Sequence, residues 1–274
     1  MDNKISAIIL TYNEELNLEK CLKSIIGLVG GIFIVDSFST DRTIEIAKEY
    51  GVEVIQHKFV NQADQFNWAL DNLNINSEWI LRLDADEYLT DELKKEILEK
   101  LPETKDDTTG FFMKRRVYFM NKWIRFGGYY PTYLLRLFRY KVGRYENREM
   151  DEHIILSSGK IENLENDFID HNQKGLDFWI EKHKSFAKRE ALAILSDQGV
   201  DNLGGQAGRK RRMKNNLYLK LPKFLRAFLY FIYRYIFRFG FLDGLNGLVF
   251  HFLQGFWYRF MVDINLYKLE SKKS

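Results

Sequence analysis

Along the first hundred residues, short apolar runs alternate with helical stripes. Ser6–Leu10 (SAIIL) is nearly continuous apolar sequence, the signature of a strand buried on both faces. Between Asn13 and Ile26, the residues Leu16, Leu18, Cys21, Leu22, Ile25 and Ile26 recur at helical spacing. Ile32–Val35 predicts a second strand, Thr40–Tyr50 a helix with Ile44, Ile46 and Ala47 inward, and Val52–Ile55 a third strand. A helix over Gln62–Leu73, a strand over Trp79–Leu83 (WILRL) and a charged amphipathic helix over Asp91–Leu101, closed by Pro102, follow. Strand and helix alternating at this pitch predict βαβ units and a parallel sheet.

The pattern then changes. Gly110–Phe119 and Thr132–Phe138 read as strands rich in aromatics and arginines, joined through the turn-rich Phe126–Pro131 (FGGYYP). Residues 141–172 are polar and irregular, with short strands expected at Ile154–Leu156 and Phe168–Asp170, and Leu176–Leu195 predicts a long helix. Gly199–Gly208 is the best linker candidate. Beyond it, Pro222 suits the start of a helix whose cations, Lys220, Lys223, Arg226, Arg234 and Arg238, fall within an arc of about 120°. Its longest uncharged run, Ala227–Tyr233, is far below the ~20 residues that span a bilayer; Gly244–Tyr258 is also short and includes Asn246, His251 and Gln254.

Charge sharpens this division. The 274 residues carry a net +3, but residues 203–274 hold 14 Lys and Arg against 3 Asp and Glu, a net +11, together with 17 of the 42 aromatics. Residues 1–202 carry −8. The expected domains are therefore 1–202, with a ligand part over about 1–110 and an acceptor part over about 111–202, and an extension over 203–274. A basic, aromatic amphipathic extension suits an anionic membrane surface, on which it would lie without spanning. The alternative is that this face packs on the acidic body with its cations merely solvated, and nucleic acid is disfavoured as a partner because that body would repel it. One cysteine excludes a disulfide framework, and MDNKISAIIL does not read as a signal peptide, which predicts a cytoplasmic location.

Candidate chemistry sits at the strand ends. Asp84-Ala85-Asp86-Glu87 follows WILRL directly, and ligands of open α/β sheets bind at the carboxyl ends of strands. If the chain runs on extended, Asp84 and Asp86 project to one side, and such paired carboxylates suit Mg²⁺ or Mn²⁺; the alternative is a solvated acidic turn. The second strand ends in Asp36 and the first in Thr11-Tyr12-Asn13-Glu14-Glu15. Asp41 has a simpler use in the first turn of its helix. Neither GxGxxG nor GxxxxGK[ST] follows the first strand, which argues against dinucleotide and P-loop chemistry. Arg136 could reach a diphosphate or an anionic acceptor, or pair with the surrounding acids. Tyr129 and Tyr130 could stack on an acceptor sugar or simply pack.

TYNEE, VDSFSTDRT and LDADE, in that order, resemble the inverting family 2 glycosyltransferases of the GT-A fold. GGYYPTYLLRLFR, the MDEH segment and KHKSFAKREA resemble the branch that includes lipopolysaccharide core β-glucosyltransferases, and the likeness runs over roughly residues 4–265. It implies a Rossmann-like, mixed but mostly parallel sheet flanked by helices, followed by the amphipathic extension. It implies that Thr11, Tyr12 and Glu14 line a nucleoside pocket, that Asp36 meets the base, usually uracil, and that Asp84 lies near ribose and metal. Asp86 would bind the metal on the diphosphate, with His171 beside it. Gln65 stands where the family often has a cation near the donor. Glu152 falls best on the position of the catalytic base, with Asp151 the alternative, since the local order departs from the branch's His-Glu. The implied reaction moves a hexose from a UDP-sugar to a lipid-linked saccharide at the inner face of the cytoplasmic membrane. The rivals are a sugar nucleotidyltransferase, which would want a glycine-rich, lysine-bearing loop near the first strand, and a non-enzymatic basic membrane-binding protein, which would not need Asp84 and Asp86.

Overall fold

The computed structural model describes residues 4–146, 148, 150, 152–196 and 205–272. They form two compact units: Met1–Arg116, Tyr133–Asn147 and Asp151–Gln173 make the first, and Val117–Thr132, Arg148–Met150 and Lys174–Ser274 the second.

The first unit is a mixed sheet with helices on both faces. Its elements in chain order are β1 (Ile5–Thr11), α1 (Leu18–Ile25), β2 (Gly31–Asp36), α2 (Thr43–Glu49), β3 (Glu53–Gln56), α3 (Gln62–Asn72), β4 (Trp79–Asp84), β5 (Glu87–Leu89), α4 (Asp91–Lys100) and β6 (Thr108–Phe119). After β7 (Lys122–Ile124), which belongs to the second unit, come β8 (Thr132–Arg139), β9 (Gly143–Tyr145), β10 (Ile154–Leu156) and β11 (Lys160–Asp170). The strand order is β3-β2-β1-β4-β8-β6-β11-β5. The four apolar strands β3, β2, β1 and β4 are mutually parallel, and β8 runs antiparallel to β4.

Alternation along the central strands divides the core. Ala7, Ile9, Leu81 and Leu83 pack with α1 and α4, whereas Ile8, Val35, Ile80 and Phe138 pack with Phe66 and Ala69 of α3. Two helices begin on capping side chains: Asn61 accepts from the Asp64 amide at 2.8 Å, and Thr90 from the Leu93 amide at 3.2 Å. The first helix is shorter than its stripe predicts. Asn13 adopts a left-handed φ of 54° and the TYNEE stretch is spent on a loop, so α1 starts only at Leu18.

In the second unit, β7 pairs with the end of β6, and α5 (Gly175–Leu195), α6 (Gly205–Asn216), α7 (Leu225–Ile232), α8 (Gly244–His251) and α9 (Tyr258–Glu270) follow. Of the candidate linker, residues 199–204 lie outside the described residues, and residues 205–208 open α6. Ala187 and Ala191 of α5 pack on Tyr258, Val262 and Leu266 of α9. Glu190 lies within this contact, bonded to Tyr258 and 2.7 Å from both Arg259 and Lys214. Those cations outweigh burial and hold its carboxyl at about 2.

The cationic stripe predicted for the tail does not form one solvated face. Arg226 is buried and donates to Asp263 of α9, Lys223 pairs with Glu270, and Arg234 lies 4.0 Å above the Tyr129 ring. Helical spacing within one segment cannot register the acids that a later helix brings against it. The helix also starts late, at Leu225, with Pro222 preceding it.

Candidate active site

The loops after β1 and β2 are laced together. Asp36 ends β2 with no exposed surface; its carboxylate accepts from the Thr11 hydroxyl at 2.9 Å and from the Ser39 amide at 2.8 Å. The Asn13 amide donates to the Ser39 hydroxyl at 2.8 Å, and Asn13 accepts from the Thr40 amide at 2.8 Å. The Glu14 amide donates to Thr43, and the Glu14 carboxylate accepts from Asn17 at 2.7 Å. Asp41 accepts from the amides of Glu15 and Thr43, the plain helix-start use expected of it. Asn13 and Phe38 both sit at positive φ, a strained conformation for side-chain-bearing residues that tight loops of functional sites retain.

The result is a preformed cradle with Tyr12 standing out, 58% exposed, as a flat ring. Asp36 acts as its floor: it fixes both loops and has no exposed oxygen to offer a base. Gln65 is also buried, donating to Ser37 at 2.8 Å and to the Val35 carbonyl at 3.3 Å, so it positions the β2 loop from below.

The LDADE segment does not run on extended. β4 ends at Asp84, the chain turns through Ala85-Asp86, and β5 begins at Glu87. The neighbour that shares a strand face with Asp84 is therefore Arg82, two residues earlier, on the face that Ile80 presents to α3. Arg82 holds both Asp84 oxygens, at 2.7 and 2.6 Å, and Gln62 of α3 donates to one of them at 3.0 Å. Glu87 is 2% exposed; it accepts from the Asp84 amide at 3.0 Å and from Arg136 of β8 at 2.5 Å. Arg136 also lies 3.5 Å from Asp84. Two guanidiniums and two carboxylates thus share a mostly buried cluster, with Tyr145 flanking Arg82 at 5.7 Å.

Electrostatics follow from that packing. Burial opposes the charge of Arg82, but Asp84 and Glu87 outweigh it and hold the guanidinium above its ordinary value. Burial pushes the Glu87 carboxyl up, with Arg136 and Arg82 pulling the other way. Burial and these same acids push the Cys21 thiol far up, so the one cysteine is inert packing. Arg82 escapes composition and motif reasoning, and Glu87, though part of LDADE, is given no role by it. The available signal is a lone arginine inside the otherwise apolar WILRL, which a buried strand tolerates only with a partner.

Asp86 sits in the turn. Its carboxylate accepts from Asn172 at 2.9 Å and its carbonyl from the His171 amide at 2.9 Å. Burial and Lys20 hold the His171 imidazole below its ordinary value against the pull of Asp86, which keeps it neutral at pH 7, the form that can ligate a metal. A divalent cation fits this pair in part. Asp86 and His171 supply one carboxylate and one imidazole, while the Asp84 oxygens are engaged by Arg82. Among the described residues, no three His, Cys, Asp or Glu side chains gather to hold a metal ion. A cation here would need oxygens from its ligand and from water, the usual situation of a phosphate-bound Mg²⁺ or Mn²⁺.

On the α3 side, Asn67 exchanges hydrogen bonds with the backbone of Tyr145 at 3.0 Å each way, tying β9 to the helix. β9 pairs with β10, and Glu146 accepts from the His153 amide at 2.9 Å. Glu152 lies in this connection, half-buried; Asp151 lies outside the described residues. Tyr129 and Tyr130 belong to the second unit, where Tyr129 packs edge-on against Phe250 and Tyr130 against Trp123.

Residues 6–155 match the family described as Glycosyl transferase family 2, more than half of the chain. The chain belongs to glycosyl transferase family 2. It is 28% identical over 263 residues to the lipopolysaccharide core biosynthesis glycosyltransferase LpsC of Rhizobium meliloti, covering 91% of this chain and 89% of that one. It is 40% identical over 94 residues to an uncharacterized glycosyltransferase of Rickettsia felis, and spans about a third of that relative's length. Among solved structures, S. aureus TarS 1-349 matches over 98% of this chain at 15% identity, with a TM-score of 0.48. The family-2 stretch contains both laced loops, the Arg82–Asp84–Glu87–Arg136 cluster and Asp86; His171 lies beyond it.

Proposed function

We propose that this family 2 glycosyltransferase is metal-dependent and inverting, and that it moves a hexose from a UDP-sugar to a lipid-linked saccharide of the bacterial envelope at the inner face of the cytoplasmic membrane. One observation carries the reading: the preformed Thr11–Asp36–Ser39 cradle and the Arg82-braced LDADE turn stand at the ends of adjacent parallel strands β1, β2 and β4. That arrangement suits a nucleoside on one side and a diphosphate on the other. The relationship to LpsC along most of both chains supports an envelope saccharide as acceptor.

In this reading, Tyr12 stacks on the base above the floor that Asp36 and Gln65 fix. Arg82 and Glu87 hold Asp84 toward the ribose. Asp86 and His171 hold Mg²⁺ or Mn²⁺, which when bound neutralises the charge of the leaving nucleoside diphosphate. Glu152 removes the proton of the attacking acceptor hydroxyl in a single displacement at the anomeric carbon. Arg136, buried against Glu87, positions the acidic turn.

Turnover of UDP-hexoses with Mn²⁺ tests this. Asp86→Ala should abolish metal-stimulated turnover while leaving the melting temperature within a few degrees of wild type. Glu152→Gln should lower kcat by about 10²–10⁴-fold with little change in donor affinity. Undiminished turnover in both variants would defeat the reading.

A further inference from the structure

We propose that the apolar face carried by residues 224–252 inserts into the headgroup–acyl boundary of an anionic bilayer. The inference is independent of the donor chemistry and rests on the inverted polarity of one helical pair. The stretch Leu225–Phe237 and the stretch Gly240–Glu270 meet at a bend of 71°, and among the described residues no single helix is long and apolar enough to cross a membrane. On an ordinary surface helix the cations face water and the apolar side chains face the core. Here Arg226 is turned inward onto Asp263 and Arg234 onto Tyr129. Phe228, Ile236, Phe237, Phe239, Leu242 and Leu245 point outward, with Phe237 at 68% and Leu245 at 74% exposure.

The bend itself is aromatic. Phe239 takes a left-handed φ of 59° and is exposed at the turn between the two stretches. A concentration of exposed apolar side chains of this kind, with the exposed Arg238 among them, marks an interaction site. Two further observations select a bilayer. Arg209, Lys210 and Arg212 of α6 and Lys220, just before α7, are exposed in the same unit, where anionic headgroups would meet them. A depression of about 410 Å³ lies between Leu176 and Ile180 of α5 and Leu248, Val249, Phe252 and Leu253, an entirely apolar lining that suits an acyl chain. Apolar insertion carries the binding in this account, and the cations set the preference for anionic lipid.

Sedimentation with vesicles of phosphatidylethanolamine and phosphatidylglycerol is the test. Wild-type chain should remain bound in about 1 M NaCl, where the Debye length is about 3 Å and electrostatic adsorption is screened. The double variant Phe237→Glu/Leu245→Glu should lower the bound fraction roughly tenfold or more. Cys21 is buried, so a Leu245→Cys chain takes an environment-sensitive fluorophore at that position, whose emission should shift to the blue only when vesicles are added. The labelled chain decides the matter if the double variant folds poorly. Binding lost in salt and indifferent to the double replacement would overturn the proposal in favour of surface adsorption. A blue shift without vesicles, accompanied by a concentration-dependent dimer, would overturn it in favour of self-association, and no sedimentation at all would end it.

Discussion

Arg82 shows how much one side chain can organise. It sits 1% exposed in the middle of β4, yet both of its terminal nitrogens reach Asp84. Removing one partner of a buried ion pair leaves the other uncompensated, typically at about 3–5 kcal/mol. Arg82→Met should destabilise the first unit by less than that, because Asp84 is 30% exposed and keeps Gln62 and Arg136, and should weaken donor binding, as read by urea denaturation and donor titration. Glu87→Gln should be milder, because the amide oxygen can still accept from Arg136. The LDADE motif itself was legible in the sequence. Its geometry was not, because the alternation that pairs residues i and i+2 applies within a strand and the strand ends at Asp84. It therefore assigns Arg82, and not Asp86, as the companion of Asp84.

At the scale of elements, apolar periodicity located the parallel strands to within a residue or two, since burial on both faces leaves a continuous run in β1, β2 and β4, while the edge strand β3 keeps only Val54 and Ile55 partly buried. The tail was harder to read. Its helices trade partners across long sequence separations: Arg226 meets Asp263, and Glu190 meets Tyr258, Arg259 and Lys214. Buried titratable groups of α5 and α8 give the second unit a pH dependence. Burial lowers His183 and His251 to about 4, so both stay neutral when folded but take up protons when unfolded below about pH 6.5. Stability should fall as pH drops from about 6.5 to 4. Glu190, held at about 2, contributes stability above its unfolded value that is lost between about pH 4.5 and 2, an effect of about 3 kcal/mol. Thermal melts across that range check the sign, and His183→Gln should flatten the upper part of the curve.

On the scale of the whole molecule, the near-neutral charge of +3 conceals two differently built units. The tail is no simple appendage: α9 supplies core to α5, and Asp243 accepts from the Arg125 and Phe126 amides. Removing residues 221–274 should therefore expose that core and yield an unfolded or aggregated second unit, visible as lost helical ellipticity and a low-temperature melt. Membrane binding is better tested by point substitutions at exposed positions. Composition flagged the tail as basic and aromatic, but which of its cations are solvated was set by acids elsewhere in the chain, beyond the reach of a local pattern.

The proposed reaction is a single displacement, supported by a metal, at the anomeric carbon of a UDP-sugar. Proton NMR of the product formed from a UDP-α-hexose tests it most directly, with Mn²⁺ present and again after chelation by EDTA. The expected result is a β-linked product whose formation stops on chelation and resumes when Mn²⁺ is restored. An α-linked product, or undiminished turnover in EDTA, would contradict it.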